Sequence, residues 1–154
     1  MRARLEQAIA PGSVIALDSS AVLAYLDGGE SISSAATDVI DGLVRSGRNP
    51  GLISAVTVTE ALVRPLRLAE AVATVEDFLR HFSNLSVVPI DYAVAREAAR
   101  IRALTGLRMA DALVLATASL SGVSVVVGND EGWKSAVDRL DTPFALCLLA
   151  DYAS

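Results

Sequence analysis

The chain contains four short apolar runs, each of strand length and each ending abruptly in a polar or turn residue. They are VIAL before Asp18, GLIS at 51–54, LSVVPI at 85–90 and VSVVV before Gly128, and FALCLLA at 144–150 is a fifth candidate. Their apolar character is continuous rather than alternating, which is typical of strands buried on both faces of a parallel sheet. The pattern therefore predicts a parallel sheet of roughly five strands.

Segments with the apolar spacing of a helix separate most of these runs. The spacing predicts helices at 32–43, 68–82, 94–101, 111–120 and 131–140, while Pro65 and the stretches 28–31 and 46–51 interrupt the pattern as connections. Strands that alternate with helices indicate an α/β fold with parallel strands. No repeat, low-complexity tract or long linker indicates a second domain.

The composition fits one ordered domain with an aliphatic core. Of 154 residues, 53% are hydrophobic, 20% charged and only 5% aromatic, which does not indicate disorder. The only cysteine, Cys147, has no partner for an intrachain disulfide, and no apolar stretch reaches the roughly 20 residues of a membrane helix. We therefore expect a cytoplasmic protein without a membrane segment or an export signal.

The net charge of -5 is unusual for a protein that binds nucleic acid through a broadly basic surface. Bound divalent cations would offset part of this charge, and a local group of arginines could then contact phosphate. Charge alone therefore leaves nucleic-acid binding open.

Four acids lie at junctions between predicted elements. Asp18 and Asp130 come after strands, Glu60 follows GLIS within VTVTEAL, and Asp111 opens a helix. The carboxyl ends of parallel strands meet at one edge of a sheet, so these side chains are expected to converge. Each acid also has a structural alternative: helix capping for Asp18 and Asp130, a Thr57-x-x-Glu60 capping box, and a favourable helix-dipole position for Asp111.

Converging carboxylates repel one another unless a cation neutralises them. Oxygen ligands select Mg²⁺ or Mn²⁺, whereas zinc favours Cys and His, of which the chain has one each. A pair of such ions activates water and stabilises the leaving oxygen of a phosphodiester. The acidic quartet therefore predicts a metal-dependent nuclease.

The ordered motifs LDSSAVLAYL, VTVTEAL, RMADALVLATA and GNDEGW resemble those of the PIN-domain family, and within it the VapC toxins of toxin–antitoxin pairs. They span Leu17 to Trp133. The resemblance implies a three-layer α/β/α fold around a parallel five-stranded sheet. It also implies an endoribonuclease that uses Mg²⁺ or Mn²⁺, forms a homodimer and is inhibited by a small antitoxin, which inserts a C-terminal segment over the site.

The same resemblance assigns roles to particular residues. It makes Asp18, Glu60, Asp111 and Asp130 the catalytic and metal-binding acids, with Ser20 and Asn129 as supporting polar groups. Arg108, three residues before Asp111, is the first candidate for contact with RNA phosphate, followed by Arg64 and Arg67.

Two features depart from the family pattern. Gly128 stands where the family usually has Thr or Ser before the Asn-Asp pair, so a hydroxyl is missing from the edge of the site. Residues 1–13 precede the PIN-like nuclease domain, which we assign to 14–154. We expect this N-terminal arm to be a short helix that ends at Pro11-Gly12 and packs on a partner subunit.

Two other functions remain open from the sequence. Asp18 could be the nucleophile of an aspartyl-phosphate phosphatase, although such enzymes usually carry a second acid where this chain has Ser20. The chain could also keep the PIN fold with weak or no catalysis and act by binding another protein.

Overall fold

The computed structural model describes residues 1–153 and contains, within them, one sheet of five strands. In chain order they are β1 (Ile15–Leu17), β2 (Gly51–Ser54), β3 (Leu85–Val88), β4 (Val125–Gly128) and β5 (Ala145–Leu148). Their order across the sheet is β3-β2-β1-β4-β5, and every neighbouring pair is parallel. The predicted α/β class and five-stranded parallel sheet are confirmed.

Helices connect the strands and cover the sheet. They are α1 (Arg2–Ala8), α2 (Ser19–Asp27), α3 (Ser33–Val39), α4 (Ala55–Leu68), α5 (Val72–His81), α6 (Tyr92–Thr105), α7 (Met109–Leu120) and α8 (Trp133–Leu140). A π-helical segment, Ile40–Arg45, continues α3, and a 3₁₀ turn, Leu149–Tyr152, follows β5. No single helix within residues 1–153 has the length and composition to cross a membrane. Helices α6 and α7 reach that length and composition only when they are taken together, and they are bent by 119° relative to each other.

Two apolar cores lie on opposite faces of the sheet. In β1, Ile15 and Leu17 belong to the core formed with α1–α5, whereas Ala16 belongs to the core formed with α6–α8. This alternation places both faces of the strand in contact with helices, which explains its continuous apolar sequence. Trp133 is fully buried in the second core, and its indole N–H has no hydrogen-bond partner within residues 1–153. The three layers of the predicted fold are thus present.

The connection between α4 and α5 differs from the predicted one. A single helix was expected over 68–82, but Ala69 and Ala71 take left-handed conformations with φ of 53° and 56° and separate the two helices. Pro65, expected in a connection, lies inside α4. Alanine carries no sequence signal for a left-handed backbone, so the periodicity concealed this break.

The predicted capping box at Thr57 and Glu60 is wrong. Helix α4 begins at Ala55, directly after β2. Ser54, the last residue of β2, is itself the N-cap, and its hydroxyl accepts the Val56 N–H at 3.3 Å. Thr57 therefore lies inside the helix, and its hydroxyl pairs with Ser19 instead. Glu60 is consequently free of the capping role that was its strongest structural alternative.

The N-terminal arm packs on the core of its own chain, and its packing on a partner subunit stays a prediction. Helix α1 ends at Ala8, and the side chains of Leu5 and Ile9 are fully buried in the core formed with α1–α5. The buried side-chain amide of Asn49 donates to the carbonyls of Ala10 and Ser13 and fixes the segment that leads to β1. The division into 1–13 and 14–154 stays a prediction, and its last residue, Ser154, lies outside the described residues.

Candidate active site

A cavity of about 490 Å³ opens at the carboxyl end of the sheet. All four predicted acids line it, each from a different part of the chain. The lining also includes the predicted residues Ser20, Asn129 and Arg108, together with Ser19, Leu23, Glu30, Ile32 and Glu131. The convergence expected from the parallel strand order is therefore present: β1 lies between β2 and β4, so the segments that follow these three strands meet at one place.

Asp18 is the most buried acid of the cavity. It follows β1, caps the N-terminus of α2 and is only 7% exposed. Its Oδ2 accepts hydrogen bonds from the Ser20 hydroxyl at 2.7 Å and from the Ser20 N–H at 3.3 Å. Burial raises the pKa of the Asp18 carboxyl; the hydrogen bonds from Ser20 and from the Ser19 backbone oppose this, and the charge of Asp111 adds to it. The folded chain therefore holds a carboxylate at an electrostatic cost.

Gly128 lies against Asp18 at the end of β4. A Cβ at this position would lie 3.1 Å from the Asp18 Cβ and 3.3 Å from its Oδ2. These separations are shorter than ordinary van der Waals contacts, so a larger residue would require Asp18 to move. The missing hydroxyl noted in the sequence thus accompanies a close packing of β4 on the buried acid.

Asp111 and Arg108 form an ion pair at the mouth of the cavity. Asp111 lies in the first turn of α7 with its side chain 13% exposed, and its Oδ2 accepts from the Nε of Arg108 at 3.0 Å. The Arg108 side chain is 81% exposed. The pKa of its guanidinium is raised, first by the hydrogen bond and charge of Asp111 and further by the charges of Asp130 and Glu60. One cation thus faces three of the four acids.

Asn129 and Asp130 have local hydrogen bonds in addition to lining the cavity. The Oδ1 of Asp130 accepts the Gly132 N–H at 2.8 Å, and the Oδ1 of Asn129 accepts the Ala150 N–H at 2.9 Å. The first bond shapes the turn before α8, and the second links the end of β4 to the turn after β5. Both side chains are held in place before any ligand is considered.

Glu60 reaches the cavity from α4 and is exposed. The other two predicted phosphate contacts on this helix do not line the cavity. Arg64 pairs with Asp27 at 3.6 Å and lines a separate, largely apolar groove between α2, α4 and α5, and Arg67 is exposed beyond it. The structure therefore brings only Arg108, of the three arginines, to the acids.

Two acids of the cavity, Glu30 and Glu131, were not predicted from the sequence. Glu131 directly follows Asp130, and this adjacency was a usable signal. Glu30 lies in the loop after α2 and does not follow a strand in the sequence, so only the folded backbone brings it to the site.

The donors of the cavity fit a hard divalent cation by their chemistry. The ionisable side chains that line it are carboxylates and one arginine, with no His or Cys among them. In their present arrangement no three Asp, Glu, His or Cys side chains of residues 1–153 are grouped to hold one ion, and an oxygen of Asp111 is engaged by Arg108. The chemistry suits Mg²⁺ or Mn²⁺. Binding an ion would require the acidic side chains that already line the cavity to change rotamer.

Solved structures of toxin–antitoxin proteins share this fold. The chain is similar to VapC20 of Mycobacterium tuberculosis, described as a toxin that cleaves the sarcin–ricin loop, with a TM-score of 0.64 and 16% identity over 79% of this chain and 94% of that one. It is also similar to the DNA-bound VapBC of Salmonella typhimurium, with a TM-score of 0.55 and 20% identity over 87% and 98% of the two chains.

A third similar structure is VapBC2 of Rickettsia felis bound to a DNA fragment from its promoter. Its TM-score is 0.64 and its identity 12%, over 86% of this chain and 98% of that one. At such identities the likeness concerns the fold. A search among curated proteins finds no match.

The sequence itself carries the family assignment. The profile of the PIN domain matches residues 15–138, a span that begins with β1 and extends into α8. All four acids of the cavity lie within this span. The resemblance inferred from the four motifs is confirmed, and the chain belongs to the PIN domain family.

Proposed function

We propose that this chain is a Mg²⁺- or Mn²⁺-dependent endoribonuclease and the toxin of a toxin–antitoxin pair. The observation that carries the proposal is the convergence of Asp18, Glu60, Asp111 and Asp130 on one cavity at the carboxyl end of the sheet. Structural roles such as helix capping would not require acids on four separate segments to share a cavity.

The burial of Asp18 supports a cation at this place. An acid that is 7% exposed and lies in the field of Asp111 is costly to ionise without a positive partner. Asp18, Glu60, Asp111 and Asp130 would hold the metal. When bound, one or two such ions activate water and stabilise the charge that develops on the phosphodiester.

The other polar groups have separate tasks in this proposal. Ser20 holds the Oδ2 of Asp18 and thereby orients that carboxylate. Arg108, exposed at the mouth of the cavity, is placed to contact a backbone phosphate of RNA once it leaves Asp111. Such a contact would offset the net negative charge of the chain at the point where the substrate enters.

The apolar groove between α2, α4 and α5 supports an antitoxin partner. Leu23 lines both the groove and the acidic cavity, so a peptide seated in the groove would continue over the acids. Similar structures from Salmonella typhimurium and Rickettsia felis are VapBC proteins. We propose a small antitoxin with this binding mode and a homodimer of the toxin, which co-purification and sedimentation would test.

The direct test is cleavage of RNA by the purified chain. We expect endonucleolytic products with Mg²⁺ or Mn²⁺, none with EDTA, and none from Asp18→Asn or Asp111→Asn. Asp91→Asn is the matched control, because Asp91 also caps a helix but is exposed and lies outside the cavity. Mapping the RNA ends produced on induced expression, with Asp18→Asn as the blank, identifies the substrate.

Two results would contradict the proposal. Cleavage that persists in EDTA would exclude a role for the metal in catalysis. Full activity in both Asp18→Asn and Asp111→Asn would exclude a catalytic role for these acids. Absence of both cleavage and metal binding would instead favour a PIN-fold protein that acts by binding another protein.

A further inference from the structure

A buried pair of hydroxyl groups joins the two helices that carry Asp18 and Glu60. The Oγ of Ser19 and the Oγ1 of Thr57 are 3.0 Å apart, and the two residues are 6% and 0% exposed. Ser19 is the first residue of α2 and Thr57 lies in the first turn of α4. These helices follow β1 and β2, which are neighbours in the sheet. The pair therefore ties together two helix N-termini at the edge where the acids converge.

The position of this pair relates it to both carboxylates. Ser19 directly follows Asp18, the N-cap residue of α2, so a shift of Ser19 also moves Asp18. Glu60 lies three residues beyond Thr57, on the same side of α4. A small shift of one helix start against the other would change the separation of the two acids.

The two hydroxyls are bonded to each other, although Ser19 also lines the cavity. Thr57 does not line the cavity. Among residues 1–153, neither side chain has another hydrogen-bond partner. Buried hydroxyls are costly unless bonded, and a hydrogen bond fixes direction and distance in a way that apolar contact does not.

We propose that Ser19 and Thr57 are positioning residues that set the separation of Asp18 and Glu60 and thereby the affinity of the site for its divalent cation. The proposal rests on the metal-dependent function proposed above. It assigns the pair an effect on metal binding and turnover, and none on the binding of RNA.

The first variants remove one hydroxyl at nearly constant shape. Thr57→Val and Ser19→Ala should each weaken Mn²⁺ binding by about tenfold, the lower range for groups that orient metal ligands. They should lower kcat and leave KM for RNA unchanged. Thr57→Ser keeps the hydroxyl and should restore Mn²⁺ affinity to within about twofold of the wild-type chain. Thr117→Val is the matched control, because Thr117 is also a buried threonine but bonds only to Leu113 of its own helix.

The double variant Ser19→Ala/Thr57→Val separates positioning from stability. Removing both partners of a buried hydrogen bond leaves no group unsatisfied, so its melting temperature should return close to that of the wild-type chain. Its Mn²⁺ affinity should nevertheless stay as weak as that of either single variant. A bond that serves stability alone would let both quantities recover together.

The experiment is calorimetric titration of the full chain with Mn²⁺, accompanied by thermal unfolding in EDTA. Wild-type Mn²⁺ affinity in Thr57→Val and Ser19→Ala would overturn the positioning role and leave the proposed function standing. Mn²⁺ affinity that recovers together with stability in the double variant would do the same. If Thr57→Val does not fold, Ser19→Ala and the double variant decide the matter. No binding of Mn²⁺ to the wild-type chain would overturn the proposed function and this inference with it.

Discussion

Replacing Asp18 by Asn should stabilise the metal-free protein while abolishing its activity. Asp18 is 7% exposed, and burial raises the pKa of its carboxyl, so ionising it costs more free energy in the folded chain than in the unfolded chain. Asparagine keeps an oxygen that accepts from Ser20 and is an equally good N-cap. The substitution therefore removes the charge and retains the hydrogen bonds.

The size of the effect follows from the pKa. For each tenfold by which burial weakens the Asp18 acid, the buried carboxylate costs about 1.4 kcal/mol in free energy of unfolding. In a chain of this length, 1 kcal/mol corresponds to about 2–4 °C in melting temperature. We therefore expect Asp18→Asn to melt about 3–6 °C higher for each such tenfold, in EDTA at pH 7.5.

The pH dependence of this difference has a defined sign. The folded-state pKa lies above the ordinary value of 3.8, so folding favours the protonated acid. Below pH 3.8 the wild-type chain carries no penalty from this group. As the pH rises from 3.8 through the raised pKa, the wild-type chain loses that stability and Asp18→Asn does not. The gap between the two proteins should open in this interval and stay constant above it.

Thermal unfolding with and without Mn²⁺ completes the assay. The ion should raise the melting temperature of the wild-type chain and not that of Asp18→Asn, because a ligand stabilises only a state that binds it. Asp91→Asn alters an exposed cap on α6, so it should melt like the wild-type chain in EDTA and should be stabilised by Mn²⁺ to the same extent. A folded Asp18→Asn protein that melts below the wild-type chain in EDTA would refute the reasoning from burial.

Three further outcomes are expected. Gly128→Thr should weaken Mn²⁺ binding by roughly tenfold in calorimetry, because its Cβ would displace Asp18; unchanged or tighter binding would contradict this. Arg108→Gln should tighten Mn²⁺ binding by freeing Asp111 and should lower the salt slope of RNA binding by about 1; an unchanged slope would exclude Arg108 as a phosphate contact. Leu5→Ala should reduce the free energy of unfolding by about 2–5 kcal/mol in denaturant titrations, whereas a loss below about 1 kcal/mol would mean that the arm is not part of the core.

The sheet could be predicted because its three central strands, β1, β2 and β4, are buried along their whole length. The run before Asp18 is apolar throughout, since Ile15 and Leu17 meet one core and Ala16 the other. Strand limits were less predictable: β3 ends at Val88, directly before Pro89, which has no N–H to continue the ladder. The break at Ala69 and Ala71 could not be predicted, because alanine ordinarily favours the helix it interrupts here.

The residues of the candidate site also divide into those that the sequence could predict and those that it could not. Asp18 and Asp130 were predictable because strand ends in a parallel sheet share an edge. Glu30 and the Ser19–Thr57 pair were not, because each depends on how close a loop or a second helix comes after folding. Arg64 and Arg67 were proposed from their charge alone, and charge without a placement on the fold did not bring them to the cavity.

The burial of Trp133 gives this molecule an internal optical reporter. It is the only tryptophan of the chain, lies 1% exposed in the apolar core formed with α6–α8, and its backbone N–H donates to the carbonyl of Asp130. An unpaired indole N–H in apolar surroundings gives a blue-shifted emission that moves to longer wavelength when water reaches the ring. Fluorescence from this single side chain would therefore follow any loosening of the turn that carries Asp130, without a label.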